Sequence, residues 1–456
     1  MRKKTDGQQN FLHTIPQNTE IGRELSGVSK LIDDNHDILE LVHNDIVRGT
    51  DEDNGRDGMN ADQVFRCAIL KQYRNLTYQE LAFHLEDSRS FRAFARLTGR
   101  GAPSASTLQA NIKAISADTW KAINRIVISH AKHLGLEKGR TVRIDSTATE
   151  TDVHYPTDSS LLWDCIRVIT RYLVNGKELS SALTYHFVDH SRVAKKHMTE
   201  IQTNKKRNKD NRRSYRYKEL LKVASRVLVY AQEAIEDLRG FQGTSINQVM
   251  RANAIAADLE RYTDLLSKVI EQTRLRVIEG KKVPACDKVV SIFETHTDII
   301  AKGNRETTFG HKLFLTGGRS GLILDCVIEP GNPADSSMLC QLLGGQEEIF
   351  GRPPRQIACD GGFASKENLI QAKAMGVKDV SFAKRRGIKV LDMVKSNWVY
   401  KKLRNFRAGI EANISVLKRS FGLTRCDWRG WFGYLQYVYS SVVSYNFLVL
   451  ARLSSA

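Results

Sequence analysis

From Asn60 to about Leu136 the apolar residues keep helical spacing, and polar residues punctuate them where short helices would start and stop. Residues 61–73 read as one helix, 77–85 as a second with Thr77 and Glu80 spaced as a capping box, and 88–97 as a third. A further helix opens at Pro103 and is expected to run on past Trp120 and Ile123. The period changes after Lys138-Gly139, where Val142 and Ile144 alternate with polar residues and predict a short strand ending at Asp145. Helical spacing returns from Asp158 to about Cys286. Leu220, Ala224, Val227, Ala231, Ala234 and Leu238 predict one long helix, and Ile255, Leu259, Tyr262, Leu266 and Val269 a second. Gly240-Phe-Gln-Gly243 separates them, as the turn of an antiparallel hairpin would. Strand signals then recur at 289–293, 312–316, 322–328, 356–360 and 377–383, with 317–321 as a hairpin turn. Asn332 would cap the helix that follows the hairpin, and Pro333 would open it.

The helix predicted around 404–421 carries Phe406, Ile410, Ile414, Leu417 and Phe421 on one apolar stripe, beside a second stripe of Arg407, Glu411, Ser415 and Lys418. Glu411 is either half of an i,i+4 surface pair with Arg407 or one member of a larger acidic cluster. Residues 430–451 carry no charge, yet Gln436, Asn446 and several Ser and Tyr among them predict a buried closing helix, not a membrane span.

Charge narrows the partners. Over 456 residues, 41% hydrophobic and 26% charged, Lys and Arg exceed Asp and Glu by 18, which suggests a polyanion such as nucleic acid. Seven scattered cysteines, never spaced C-x-x-C, fit reduced thiols in a cytosol better than a disulfide framework or zinc ribbon, and no apolar h-region follows the basic N-terminus. Residues 189–218 hold eleven basic residues against three acids, among them Lys205, Lys206, Arg207, Arg212 and Arg213, interleaved with His and Tyr as in a phosphate-backbone contact. The second and third N-terminal helices look like a helix-turn-helix that would offer Arg89, Arg92 and Arg96 to DNA. Lys384, Arg385, Arg386 and Arg404 belong to a further run of nine basic residues from 384 to 407.

Asp145 and Asp360 each end a predicted strand, and a helix packed over adjacent strand ends would bring Glu411 to them. Three clustered acids repel unless cations neutralise them. Their hard oxygens suit Mg²⁺ or Mn²⁺, and two such ions about 3.5–4 Å apart can activate an attacking oxygen and stabilise a leaving one in phosphoryl transfer. The two aspartates are 215 residues apart, but removing the 129 residues of the helical stretch 158–286 leaves 86, a separation that a compact domain can span.

On Asp145-Ser-Thr147, Tyr155-Pro-Thr-Asp158 with Leu161-Leu162, Gly331-Asn-Pro-Ala-Asp335, Asp360-Gly-Gly-Phe363 and Arg407-x3-Glu411-x6-Lys418, the chain resembles bacterial insertion-sequence DDE transposases, most closely those of ISNCY-type elements. The resemblance runs from about Asn60 to the end. It implies an α/β fold: an RNase H-like catalytic domain of mixed sheet (138–157 and 287–456) with a large helical insertion (158–286). An all-α DNA-binding domain (60–137) and a helical, polar segment (1–59) would precede it. It further implies Asp145, Asp360 and Glu411 as catalytic metal ligands, Arg407 and Lys418 as contacts to the element's terminal DNA, and cleavage by water followed by attack of a 3′-hydroxyl on target DNA. The related pattern has Tyr three residues before the Arg, where Arg404 stands here. Asp335 reads as a helix first-turn carboxylate, and His154 and Asp158 lie near the first strand. Partners implied are terminal inverted repeats, target DNA and a second copy of the chain in a synaptic complex, in the cytoplasm at the nucleoid. A transposase-derived DNA-binding regulator without catalysis, or an RNase H-fold nuclease without strand transfer, are the competing readings.

Overall fold

Side-chain caps set all but one of the helix starts described in the first third of the chain. In the computed structural model, which describes residues 3–5, 15, 18–49, 58–98, 101–203, 210–301 and 307–455, seven helices follow one another among the described residues there. They are α1 (Glu20–Asp33), α2 (Asp37–Val47), α3 (Ala61–Tyr73), α4 (Tyr78–Asp87), α5 (Arg89–Phe94), α6 (Ala105–Ala114) and α7 (Ala117–His133). Asn60 with Gln63, and Thr77 with Glu80, close capping boxes. The helix expected to run from Pro103 through Ile123 is two helices, because Ser116 caps α7 afresh while its own N–H donates to Asp45 Oδ2 at 2.8 Å.

By contacts the chain divides into two compact units, Met1–Asp152 with Gly310–Ala456, and Val153–Phe309. The second unit holds α8 (Asp158–Leu179), α9 (Ser191–Thr203), α10 (Asp210–Gly240), α11 (Ile246–Thr273) and the short strand β2 (Asp298–Ile300). Leu220, Ala224, Val227, Ala231 and Leu238 of α10 are buried with Leu259, Leu266 and Val269 of α11, as the apolar spacing predicts for a paired hairpin. No strand forms at 289–293. Side chains take up part of this backbone: Gln272 accepts from Val289 N at 2.8 Å and donates to Val289 O at 3.3 Å, and Ser291 Oγ accepts from Phe293 N at 3.1 Å.

In the first unit β1 (Thr141–Glu150) lies between β3 (Thr308–Gly317) and β5 (Gln356–Cys359). With β4 (Ile323–Ile328) beyond β3 and β6 (Asp379–Phe382) beyond β5, the order is β4-β3-β1-β5-β6, antiparallel on the β3 side and parallel on the β5 side. The strands read as near-continuous apolar runs because helices cover them: Leu313, Phe314, Leu315, Ile357, Ala358, Cys359, Val380 and Phe382 are all buried. The covering helices are α12 (Asp335–Phe350), α13 (Lys366–Ala374), α14 (Val390–Met393), α15 (Asn397–Ser420) and α16 (Gly430–Ser455). α15 packs on β1, β5 and β6, whereas α7, α12 and α16 pack on β4. α16, uncharged as far as Arg452, is a core helix. Its Asn446 pairs with both backbone groups of Ile323, at 2.9 and 2.7 Å, and no helix among the described residues is long and apolar enough to cross a membrane. The fold is the α/β, mixed-sheet, RNase H-like kind, with an all-helical region ahead of it.

Two local expectations are corrected. β1 does not end at Asp145 but continues to Glu150, paired with β3 through Glu150↔Gly310. Asn332 does not cap α12. It sits in the left-handed region (φ 51°), and Asp335 supplies the acid of the helix's first turn.

Candidate active site

The parallel register brings the two aspartates side by side. Ile144 pairs with Cys359, and the Asp360 N–H donates to Ile144 O at 3.2 Å, so Asp145 and Asp360 are consecutive positions at the level where β5 stops. Asp145 is therefore at the end of the parallel pairing although it is mid-strand. Past Asp360 the chain turns through Gly361-Gly-Phe363, whose Phe363 is fully buried and set edge-on to Phe314 at 6.4 Å. Asn368 donates to Phe363 O at 2.8 Å and pins the turn. Gly362 is needed because a Cβ there would overlap the Asp335 carboxylate, which Lys312 holds from the other side at 3.2 Å. Asp335 thus packs beneath the Asp360 turn, with Lys312 as its counter-charge.

α15 carries the third acid. Ser396 caps it, Ile410, Leu417 and the following Phe421 bury the predicted stripe, and Phe406 and Ile414 are partly buried beside them. Tyr400 Oη donates to Phe382 O at 2.9 Å and Asn413 to Gly321 O at 2.9 Å, fixing the helix along the sheet. Gly409 lets it lie close: a Cβ there would overlap the Arg143 guanidinium, which stacks 5.1 Å from the Phe406 ring. Burial lowers the Arg143 pKa.

All three acids meet one cation. Arg407 Nη1 lies 3.3 Å from Asp145 Oδ2 and 3.5 Å from Asp360 Oδ1, while Nη2 donates to Glu411 Oε1 at 2.9 Å. The i,i+4 pair is real, and it is one arm of a four-residue cluster. Arg407 is 17% exposed, Asp145 13%, Asp360 43% and Glu411 59%, so the cluster opens toward solvent on the Asp360 and Glu411 side. Counted as ionised, three carboxylates and one guanidinium leave a formal charge of −2. The same field reaches Cys359 beneath the strands: burial pushes its thiol pKa up, and Asp145 and Asp360 add to the rise. As placed, no three acidic, His or Cys side chains among the described residues form a group that could hold a metal ion. The donor set nevertheless fits a hard divalent cation: three carboxylates already gathered round a single positive charge, with charge to spare.

Comparison with known families agrees with the sequence motifs. Residues 270–447 match the transposase DDE domain, and residues 10–114 match a second transposase domain of the type designated DUF772. The chain belongs to the insertion-sequence DDE transposases. No curated protein and no solved structure matches it. Asp360, Arg407 and Glu411 fall inside the matched DDE stretch, and Asp145 lies before it.

The other basic residues singled out in this transposase are spread over both units. Lys384, Arg385 and Arg386 are exposed in the turn after β6; Ala383 N donates to Cys359 O at 3.0 Å, which sets that turn beside Asp360. Arg404 is exposed on α15 and Lys418 is partly buried two turns beyond Glu411. Arg89 is exposed, but Arg92 bends back to Leu85 O and Gly101 O, both at 3.3 Å. Arg96 is a correction. It stands past the end of α5 at φ 54°, with its guanidinium 2.7 Å from Asp33 and 2.9 Å from Asp62, so it ties helices together and leaves the set of DNA-facing candidates. Arg212 and Arg213 are exposed near the start of α10, and Lys205, Lys206 and Arg207 lie outside the described residues. Asp158 is buried in the second unit under Arg276 and Gln272, each at 2.8 Å, and His154 faces Asp164 at 3.5 Å, so both have structural partners there.

Proposed function

We propose that this transposase cleaves DNA at the ends of its insertion sequence and joins the freed 3′ ends to target DNA, with Asp145, Asp360 and Glu411 holding two Mg²⁺ or Mn²⁺ ions. The convergence of these three acids on Arg407 carries the reading. Ions bound there would supply activation of the attacking oxygen and neutralisation of the leaving one. The protein's own part is placement: the paired strands fix the two aspartates relative to each other, and the buried stripe of α15 fixes Glu411 over them. Lys384, Arg385 and Arg386 beside Asp360, with Arg404, Arg407 and Lys418 along α15, form the cationic margin that would take the phosphate backbone of a scissile strand. Arg89 and Arg92, Arg212 and Arg213, and the segment with Lys205, Lys206 and Arg207 are further contacts along terminal or target DNA. Two copies of the chain would hold two ends.

The test uses the full chain with Mg²⁺, a duplex carrying the inverted repeats that flank its gene, and a target plasmid. Strand breaks at the repeat ends and joined products are expected, and both should vanish in Asp145→Ala, Asp360→Ala and Glu411→Ala. Breaks without joined products would identify a nuclease. Tight binding without breaks, unchanged by metal, would identify a regulator.

A further inference from the structure

Three carboxylates at one site need a counter-charge even when no metal is there, and Arg407 has taken that place. We infer that Arg407 is a resident counter-ion that occupies the metal position and must swing out before ions enter, so that metal loading and DNA contact are coupled through one side chain. The inference rests on the metal-binding reading of Asp145, Asp360 and Glu411. Nη1 is shared between Asp145 and Asp360, the oxygens an ion between the strand ends would need, and a cation cannot share that space with it. Nor is the guanidinium locked: its Nε–H is buried without a hydrogen-bond acceptor, so the inward position leaves one donor unsatisfied. The way out lies past Glu411, more than half exposed, toward the face where Arg404 is exposed. A guanidinium that moves there loses three carboxylates and needs an anion, which a DNA phosphate supplies in bidentate form. By linkage, whatever holds Arg407 outward favours the metal, and the metal in turn favours the outward arginine.

Mn²⁺ affinity of the full chain without DNA, read from the electron paramagnetic resonance of free Mn²⁺, tests this independently of catalysis. Arg407→Ala should bind Mn²⁺ more tightly than the unaltered chain by about tenfold, the scale of removing one unit charge that touches the ligands. Arg404→Ala, one turn away and clear of the acids, should stay within about twofold. Arg407→Gln, a neutral side chain of similar reach, should behave as Arg407→Ala does, and is the second variant if the alanine form does not fold. Equal or weaker binding by the Arg407 variants, with Asp360→Ala still losing the ion, overturns the counter-ion and leaves the metal triad standing. An equal gain in Arg404→Ala overturns it too, because a general field would then explain the effect. Binding by the unaltered chain and by Arg407→Ala that is no better than in Asp360→Ala removes the triad reading, and this inference with it.

Discussion

The first unit contains two arginine–carboxylate centres of opposite design. In the helical region Arg66 is fully buried and donates to Asp62, Asp33, Ser29 and Phe94 O, while Arg96 closes the same pair of aspartates from the other side. Two arginines face two aspartates, so charge balances. Where β5 stops, one arginine faces three acids, one of its donors has no partner, and the most exposed acid is 59% open. The first arrangement spends every group on holding α1, α3 and the end of α5 together. The second leaves unspent negative charge and an opening to solvent, which is what a site for exchangeable cations requires. An ion cluster announces its use less by the number of its charges than by its balance and its satisfaction.

The largest expected effect on stability separates the two centres. Arg66→Ala would leave Asp62, which is 3% exposed, with Arg96 as its remaining cation and would empty a fully buried site, and should cost about 3–5 kcal/mol of unfolding free energy in urea titration. A loss under about 1 kcal/mol would mean that the balanced centre is no more structural than the open one. Next in size is Gly409→Ala. Its Cβ would overlap the Arg143 guanidinium, so either that side chain gives up its place over Phe406 or α15 shifts and carries Glu411 with it, a strain of about 1–3 kcal/mol. DNA cleavage should therefore fall further than the loss of folded protein explains. Smaller again is Asp360→Asn. It removes one of three repelling charges at a part-exposed position, so unfolding free energy should hold or rise by under about 1 kcal/mol while cleavage is lost. A strongly destabilised Asp360→Asn would make this acid a structural ion-pair member like Asp62.

The two centres were not equally legible in the sequence. The acids at Asp145, Asp360 and Glu411 can be read as convergent because each sits on an element whose period is local: short apolar runs for the strands and a stripe with steps of four, four, three and four for α15. Arg407 among them is less visible. Its i,i+4 spacing to Glu411 is in the sequence, but its reach to Asp145 and Asp360 depends on how closely α15 lies on the sheet, which Gly409 decides through a contact with Arg143, 266 residues away. The balanced centre was missed because, apart from the i,i+4 pair of Arg66 with Asp62, its pairs are long-range. Arg96 looks like the third cation of a DNA-facing helix until Asp33 and Asp62, 63 and 34 residues earlier, are brought to it by helix packing. The same limit applies to residues 289–293, whose apolar run promises a strand but whose first residue, Val289, has its backbone groups bonded to the side chain of Gln272. β1 runs on past Asp145 because Thr147 and Thr149 can pair with β3 without an apolar signal.

A third carboxylate, half-buried in the wall of a cavity, sharpens the comparison. Asp325 on β4 lines a cavity of about 250 Å³ between α7, α12 and α16 and sits against Gly345, where an added Cβ would come within 2.8 Å of its Oδ2. Its Oδ1 accepts from Cys326 N at 2.9 Å, yet burial outweighs that bond and the more distant Arg125 and Lys121, and holds its pKa above the ordinary value. A carboxyl whose folded pKa is raised binds protons more readily folded than unfolded, so its ionised form weakens the fold at pH above that raised value. The penalty disappears as pH falls toward the ordinary aspartate range. Asp325→Asn keeps the acceptor for Cys326 and removes the buried charge. It should raise unfolding free energy at pH 7 by under about 1 kcal/mol, with the advantage shrinking on acidification toward pH 4, followed by thermal melting across that range. An advantage that does not change with pH would show that packing against Gly345, and not the lone buried charge, sets the cost at this position.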